Sequence, residues 1–163
     1  MNIIFQQTGM TMGTTPQLTL IENNPELIVG CIFLVGDRQK LSTIPADPRD
    51  IAEQVNQGTL EVSRIDTCLI VREPNTMLQI TGLATLEAIN FNVSGAGGAA
   101  GQALINALGK HNIPVWFSSK TTDVPSHQQD QLWKERSKQF LKEFGELAHE
   151  WLPRTWSYAP IHY

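Results

Sequence analysis

Charge is scarce in this chain. Asp, Glu, Lys and Arg make up 17% of its 163 residues, against about a quarter in a typical soluble domain. Basic residues are the scarcer sign, 12 Lys and Arg against 16 Asp and Glu, for a net charge of −4. A dedicated nucleic-acid binder needs a basic excess or a basic stripe, so nucleic acid is not expected as a partner. Cysteine is nearly absent: Cys31 and Cys68 are the only two, and there is no CxxC. That excludes a disulfide scaffold and removes the usual spacing for zinc or thioredoxin-like chemistry. Each cysteine sits in an apolar, strand-like run and reads as a buried free thiol, with pairing across adjacent strands as the alternative. Long hydrophobic runs are missing too. The longest, Leu27 to Gly36, falls well short of the roughly 20 residues needed to cross a bilayer. Met1 to Thr15 carries neither the basic residue nor the apolar core of a secretory signal. A cytoplasmic protein without membrane contact is the expectation. His111, His127, His149 and His162 are scattered with no HxxxH grouping, so no metal site is read and no cofactor is identified.

What remains is enough apolar residue, 41%, to bury one core. Asn2 to Gln6 and Gln17 to Ile21 suit short strands, with a threonine- and glycine-rich loop between them. Leu27 to Val35 is apolar on both faces and β-branched, the pattern of an interior strand. Asp47-Pro48 opens a short helix as N-cap and first position, and Gly58 closes it. A hairpin is expected over 60–81, its strands Leu60 to Arg72 and Met77 to Thr81 joined at Glu73 to Thr76. Ala88 to Val93 alternates as a separate strand. Then follow a glycine-rich turn, a helix over 98–111 and a strand over 114–118, which together read as a right-handed βαβ crossover between parallel strands. A long helix over 127–152 follows, capped by Ser126 with Gln129. Trp133, Phe140, Phe144, Leu147 and Trp151 form its apolar stripe, and Glu143 is placed among its polar faces. An aromatic tail ends the chain. The expectation is a single domain over 1–163, α+β or a small mixed α/β sandwich, with residues 126–163 packed onto it.

Chemistry is concentrated at Ser94-Gly95-Ala96-Gly97-Gly98-Ala99-Ala100-Gly101, between a strand and a helix. Glycine permits a sharp turn and close approach to the main chain, and free amides at a helix N-terminus bind an anion without a cationic side chain. Small residues in such a place also serve a second purpose, letting the helix pack tightly on the sheet or on another copy of the chain. Both readings stay open.

Ala88 to Lys120 resembles the first βαβ unit of Rossmann-type short-chain dehydrogenases and epimerases, whose Thr-Gly-x-x-Gly-x-x-Gly turn is matched with Ser94 in the threonine position and Gly95, Gly98 and Gly101 as the glycines. The resemblance implies that these glycines face a pyrophosphate. It is local. Ser118, Ser119 and Lys120 stand where the ribose-holding acid would be, and no Tyr-x-x-x-Lys pair occurs.

Asp37 and Arg38 follow the buried strand directly, so on a parallel sheet they would share one strand edge with the glycine turn and with Lys120. The candidate ligand-binding set is therefore Ser94, Gly95, Gly97, Gly98, Gly101, Asp37, Arg38 and Lys120. No catalytic residues are assigned: of Ser94, His111 and Asp123, His111 falls at the far end of the helix that begins beside Ser94, out of direct hydrogen-bond reach, and there is no Gly-x-Ser-x-Gly elbow. The leading expectation is a regulatory module that binds a nucleotide or phosphorylated small molecule and forms a homo-oligomer. The alternative is a non-catalytic assembly protein whose Gly/Ala-rich and aromatic helices are interfaces.

Overall fold

Five strands and the helices between them are laid out in the computed structural model, which describes residues 1–6, 15–73, 79–125 and 127–152. The β-branched run after Leu27 forms β2 (Ile28–Val35), entered through a 3-10 turn at Pro25–Leu27. Its neighbours are β3 (Val62–Arg72), antiparallel, and β5 (Val115–Ser119), parallel. β3 pairs antiparallel with β4 (Ile80–Phe91), and β4 pairs parallel with β1 (Asn2–Phe5). The order is β1-β4-β3-β2-β5. Two antiparallel steps separate β4 from β2, so those two strands run the same way, and β1 and β5 run with them. The C-terminal ends of these four strands, with the start of β3, therefore share one edge.

The mixed α/β class agrees with the sequence reading, and several elements differ in detail. Gln17 to Ile21 is helical, inside α1 (Thr15–Asn23). Gln17 and Ile21, four apart, are the two residues of that stretch with no exposed surface, which is helical spacing. The hairpin exists, but its second strand does not stop at Thr81. It runs on to Phe91 and absorbs the strand read separately at Ala88 to Val93. The crossover helix α4 (Ala96–Lys110) does join two parallel strands, with β3 and β2 lying between them, whereas the first Rossmann unit joins neighbours. The long helix is α5 (Gln129–Trp151), with Gln128 at its N-cap and no side-chain cap bond. Ser126, most of the hairpin turn, the threonine-rich loop and the aromatic tail lie outside the described residues.

α3 (Pro48–Gln57) follows its sequence signals closely. The Asp47 carboxylate accepts the Arg49 amide at its start, and Gly58 at φ +73° ends it. One core, under α1, α3 and α4, holds Cys31, Phe33, Ile65, Leu69, Ile89 and Phe91. The other, under α5, holds Ile32, Leu34, Cys68, Ile70, Phe140 and Phe144. Burial of each large side chain is worth about 1.5–3 kcal/mol. The α5 stripe is thus internal: Phe140 and Phe144 are fully buried, Trp133 stacks on Phe5 at 5.4 Å, and Trp151 lies over Gly30. Cys68 pairs with Ile32, the residue after Cys31. This one-residue offset sends the two thiols to opposite faces, and both are free.

Candidate functional site

Beyond Phe91 the chain turns through Asn92 to Gly95 before α4 begins. Gly95 has φ +107° and ψ −169°, with open space around it, a conformation that essentially only glycine adopts. No side chain caps α4 and no acid stands in its first turn. The leading amides of a 15-residue helix are thus without the oxygen that usually satisfies them, and the helix dipole places partial positive charge there. Of these first-turn residues Gly98 borders an open cleft of about 410 Å³, lined also by Asn92, Val93, Ser94, Ala99 and Gln102.

The glycines of this turn do different work. A Cβ on Gly97 would sit 2.5 Å from Asn90 Nδ2; one on Gly98 would run into the Val93 carbonyl oxygen, and one on Gly101 into that of Asn90. These three let α4 lie directly on the end of β4. Tight packing accounts for them, and the packing partner is the chain's own strand. Gly98 also touches the cleft. The anion reading keeps Ser94, Gly95 and the first-turn amides.

Asp37, Arg38 and Lys120 lie at the same sheet edge, as the parallel relation of β2, β4 and β5 requires. Asp37 caps the short helix α2 (Arg38–Leu41), accepting the Gln39 amide at 2.9 Å. Arg38 is exposed. Leu41 and Ile44, just beyond it, pack against the core under α1, α3 and α4. Lys120 is differently placed. Its side chain is 11% exposed, and Nζ donates to the Arg64 carbonyl at 2.8 Å while lying 3.4 Å from Asp66 Oδ1 and 3.7 Å from Glu87 Oε1. An ammonium so surrounded supports the sheet edge and is not free to meet a ligand phosphate.

A buried polar cluster on the α5 face was missed by the sequence reading. Asp66, 1% exposed, accepts Arg136 Nε at 2.8 Å and the Glu87 amide at 2.7 Å. Burial pushes its carboxyl above the usual value, against the pull of Lys120, the Glu87 amide and Arg136. Gln139 accepts the Thr121 amide and donates to the Ser119 carbonyl. Glu143, expected on a polar face, is buried and accepts from Trp116 Nε1 at 2.8 Å and Ser118 Oγ at 2.7 Å. The signal was present: a lone Asp within an apolar strand, and Arg136, Gln139 and Glu143 at helical spacing among the core residues of α5. A separate buried network joins Gln17, Thr67 and Thr85, tying α1 to the sheet.

Among the described residues, no group of three or more His, Cys, Asp or Glu is arranged to hold a metal ion, and no helix is long and apolar enough to cross a membrane. No protein-family model, curated protein or solved structure matches the chain.

Proposed function

We propose that the protein is a binding or regulatory module that takes a phosphorylated or nucleotide-like ligand at the Ser94–Gly95 turn. The observation that carries this reading is the uncapped, acid-free N-terminus of α4, whose Gly98 lines, with Ser94 before it, a cleft at the shared C-terminal edge of the parallel strands. Such an edge is where open α/β sheets bind ligands. A phosphate there meets backbone amides and the positive end of the dipole. Arg38 is an exposed cation at the same sheet edge. Asn92, Ser94 and Gln102 supply polar side chains around the cleft.

The test is a thermal-shift screen with nucleotides, dinucleotides, cyclic oligonucleotides and sugar phosphates, run on the wild type and on Ser94→Asp. Ser94 is exposed, and a carboxylate beside the helix start stabilises the unliganded fold by about 0.3–1 kcal/mol while competing with any anion. A ligand should raise the wild-type melting point and lose its effect on Ser94→Asp, whereas Ala99→Ser should respond as wild type. An equal response from wild type and Ser94→Asp would move the site elsewhere.

The assembly reading survives in altered form. The Gly/Ala face of α4 and the aromatic face of α5 are used inside the chain, so neither is offered to a partner. Ile4 on β1 and Trp116 on β5, 44% and 42% exposed, mark the two edge strands as its remaining surfaces. Sedimentation at micromolar concentration should then show a dimer, and a monomer over a wide concentration range removes this alternative.

A further inference from the structure

The turn before α4 and the helix α5 lie on opposite faces of the sheet, yet a continuous line of contacts joins them. Gly97 abuts Asn90 Nδ2 so closely that a Cβ would lie 2.5 Å from it. Asn90 Oδ1 accepts the Arg64 amide at 2.7 Å, and the Arg64 carbonyl accepts Lys120 Nζ at 2.8 Å. Lys120 Nζ stands 3.4 Å from Asp66, whose other oxygen accepts Arg136 of α5 at 2.8 Å. Arg136 in turn donates to the Thr122 carbonyl, at the approach to α5.

The middle of this line is irregular backbone. The β3–β4 ladder shifts register between Val62 and Ile65 and again between Ile65 and Thr67. Two non-glycine residues there hold left-handed backbone, Arg64 at φ +53° and Glu87 at φ +51°. Each amide so displaced is held by a side chain of the opposite strand: Arg64 by Asn90, Glu87 by Asp66. Bulges of this kind re-aim strands beside functional sites. Left-handed backbone at residues with a Cβ persists only where its surroundings enforce it.

We propose that this double bulge, with Lys120 as its central link, couples the α4 turn to α5 through the sheet. Displacing Asn90 from the turn side loosens the Arg64 amide, shifts the carbonyl that holds Lys120, and weakens the grip of Asp66 on Arg136. The coupling is a property of the unliganded fold; its use as a report of ligand binding rests on the function proposed above. Coupling of this sort is reciprocal, so a perturbation of α5 is felt at the turn.

The experiment is a double-mutant cycle read by amide hydrogen exchange. Gly97→Ala presses on Asn90, and Lys120→Met keeps the side-chain stem while cutting the link. In the wild-type background, Gly97→Ala should lower protection of the Thr121 amide and of Leu132 to Arg136 by about fivefold or more, the lower end of coupling between linked sites. In the Lys120→Met background this effect should vanish. If Gly97→Ala does not fold, the cycle is run from the other end: Arg136→Lys should lower protection of Gly97 to Ala100, again only while Lys120 is present. Equal effects with and without Lys120, or a uniform fall that includes the β2–β3 ladder, would overturn the proposal. No ligand enters these measurements, so the coupling can hold when the phosphate reading fails, and the converse.

Discussion

Replacing Gly101 by alanine sets two effects of opposite sign against each other. Gly101 lies inside α4, where alanine is ordinarily favoured by about 0.8–1 kcal/mol. Its α-carbon, however, faces the end of β4. An added Cβ would overlap the Asn90 carbonyl oxygen and lie 3.0 Å from the Asn90 carbonyl carbon and 3.3 Å from Phe91 Cδ1. Carbon atoms pack best at about 3.5–4.0 Å, and the obstacle is backbone, which does not swing aside. α4 must back away from the strand, and overpacking of this kind costs about 1–3 kcal/mol, at times more. With rigid backbone as the obstacle the cost falls at the upper end, about 3 kcal/mol, so the clash wins for a net loss of about 2 kcal/mol, or a fall of about 4–8 °C in melting temperature for a chain of this size. Urea and thermal unfolding of the variant would measure it, beside Gly36→Ala as a control, since a Cβ there meets nothing within 4 Å. That control should be neutral or gain up to about 1 kcal/mol. If Gly101→Ala is as stable as the control, the glycines do not set the closeness of α4 to β4.

Three further outcomes follow from the same geometry. Removal of α5 before Ser126 strips Phe140, Phe144, Leu147 and Leu132 from the core. At about 1.5–3 kcal/mol each, against a net stability of roughly 5–15 kcal/mol, the truncated chain should be insoluble or lack a cooperative transition, and a soluble, cooperatively melting product would refute the role of α5. The carboxyl of Asp66 sits above its ordinary value, so its contribution to stability is greatest below the unfolded pKa and is lost as pH rises through the folded one. Urea midpoints should therefore fall with rising pH across that window in wild type relative to Asp66→Asn. Asp47 is held low by Arg49, which gives the opposite slope, and a carboxyl NMR titration should separate the two aspartates. Burial pushes both thiols up, so Cys31 and Cys68 should stay unreactive to alkylating agents until the protein unfolds, and modification at the native rate of an exposed thiol would contradict their packing.

Local chemistry was legible in the sequence; the arrangement of elements and the polar core were not. Asp47, Pro48 and Gly58 fixed α3 because each acts within its own turn of helix. The two-sided apolar run of β2 could be placed in the interior for a similar reason. Gln17 hid α1: a glutamine with no exposed surface, bonded to Thr67 and the Leu83 carbonyl, breaks the apolar pattern by which a helix is recognised. Gly82 and Glu87 likewise interrupted β4, although it is one continuous strand through its bulges. The insertion of β3 and β2 between the strands of the crossover depends on contacts distant in sequence and leaves no local mark. Glu143 read as solvated because charged side chains usually are, and Arg136 was passed over; their partners Trp116 and Asp66 come from strands distant in sequence. At the candidate site, the sequence located the turn but not the division of labour among its glycines, which only the position of β4 decides.

Amide NMR reads the proposed anion site at the α4 N-terminus residue by residue. Titration of the labelled protein with the ligand selected by the screen should shift the amides of Ser94, Gly95, Gly97 and Gly98 and the side-chain amide of Gln102, saturably and with a single dissociation constant. Shifts confined to the groove between α3 and α4, at Arg49, Asn56 and Asn106, with those turn amides unmoved, would contradict it.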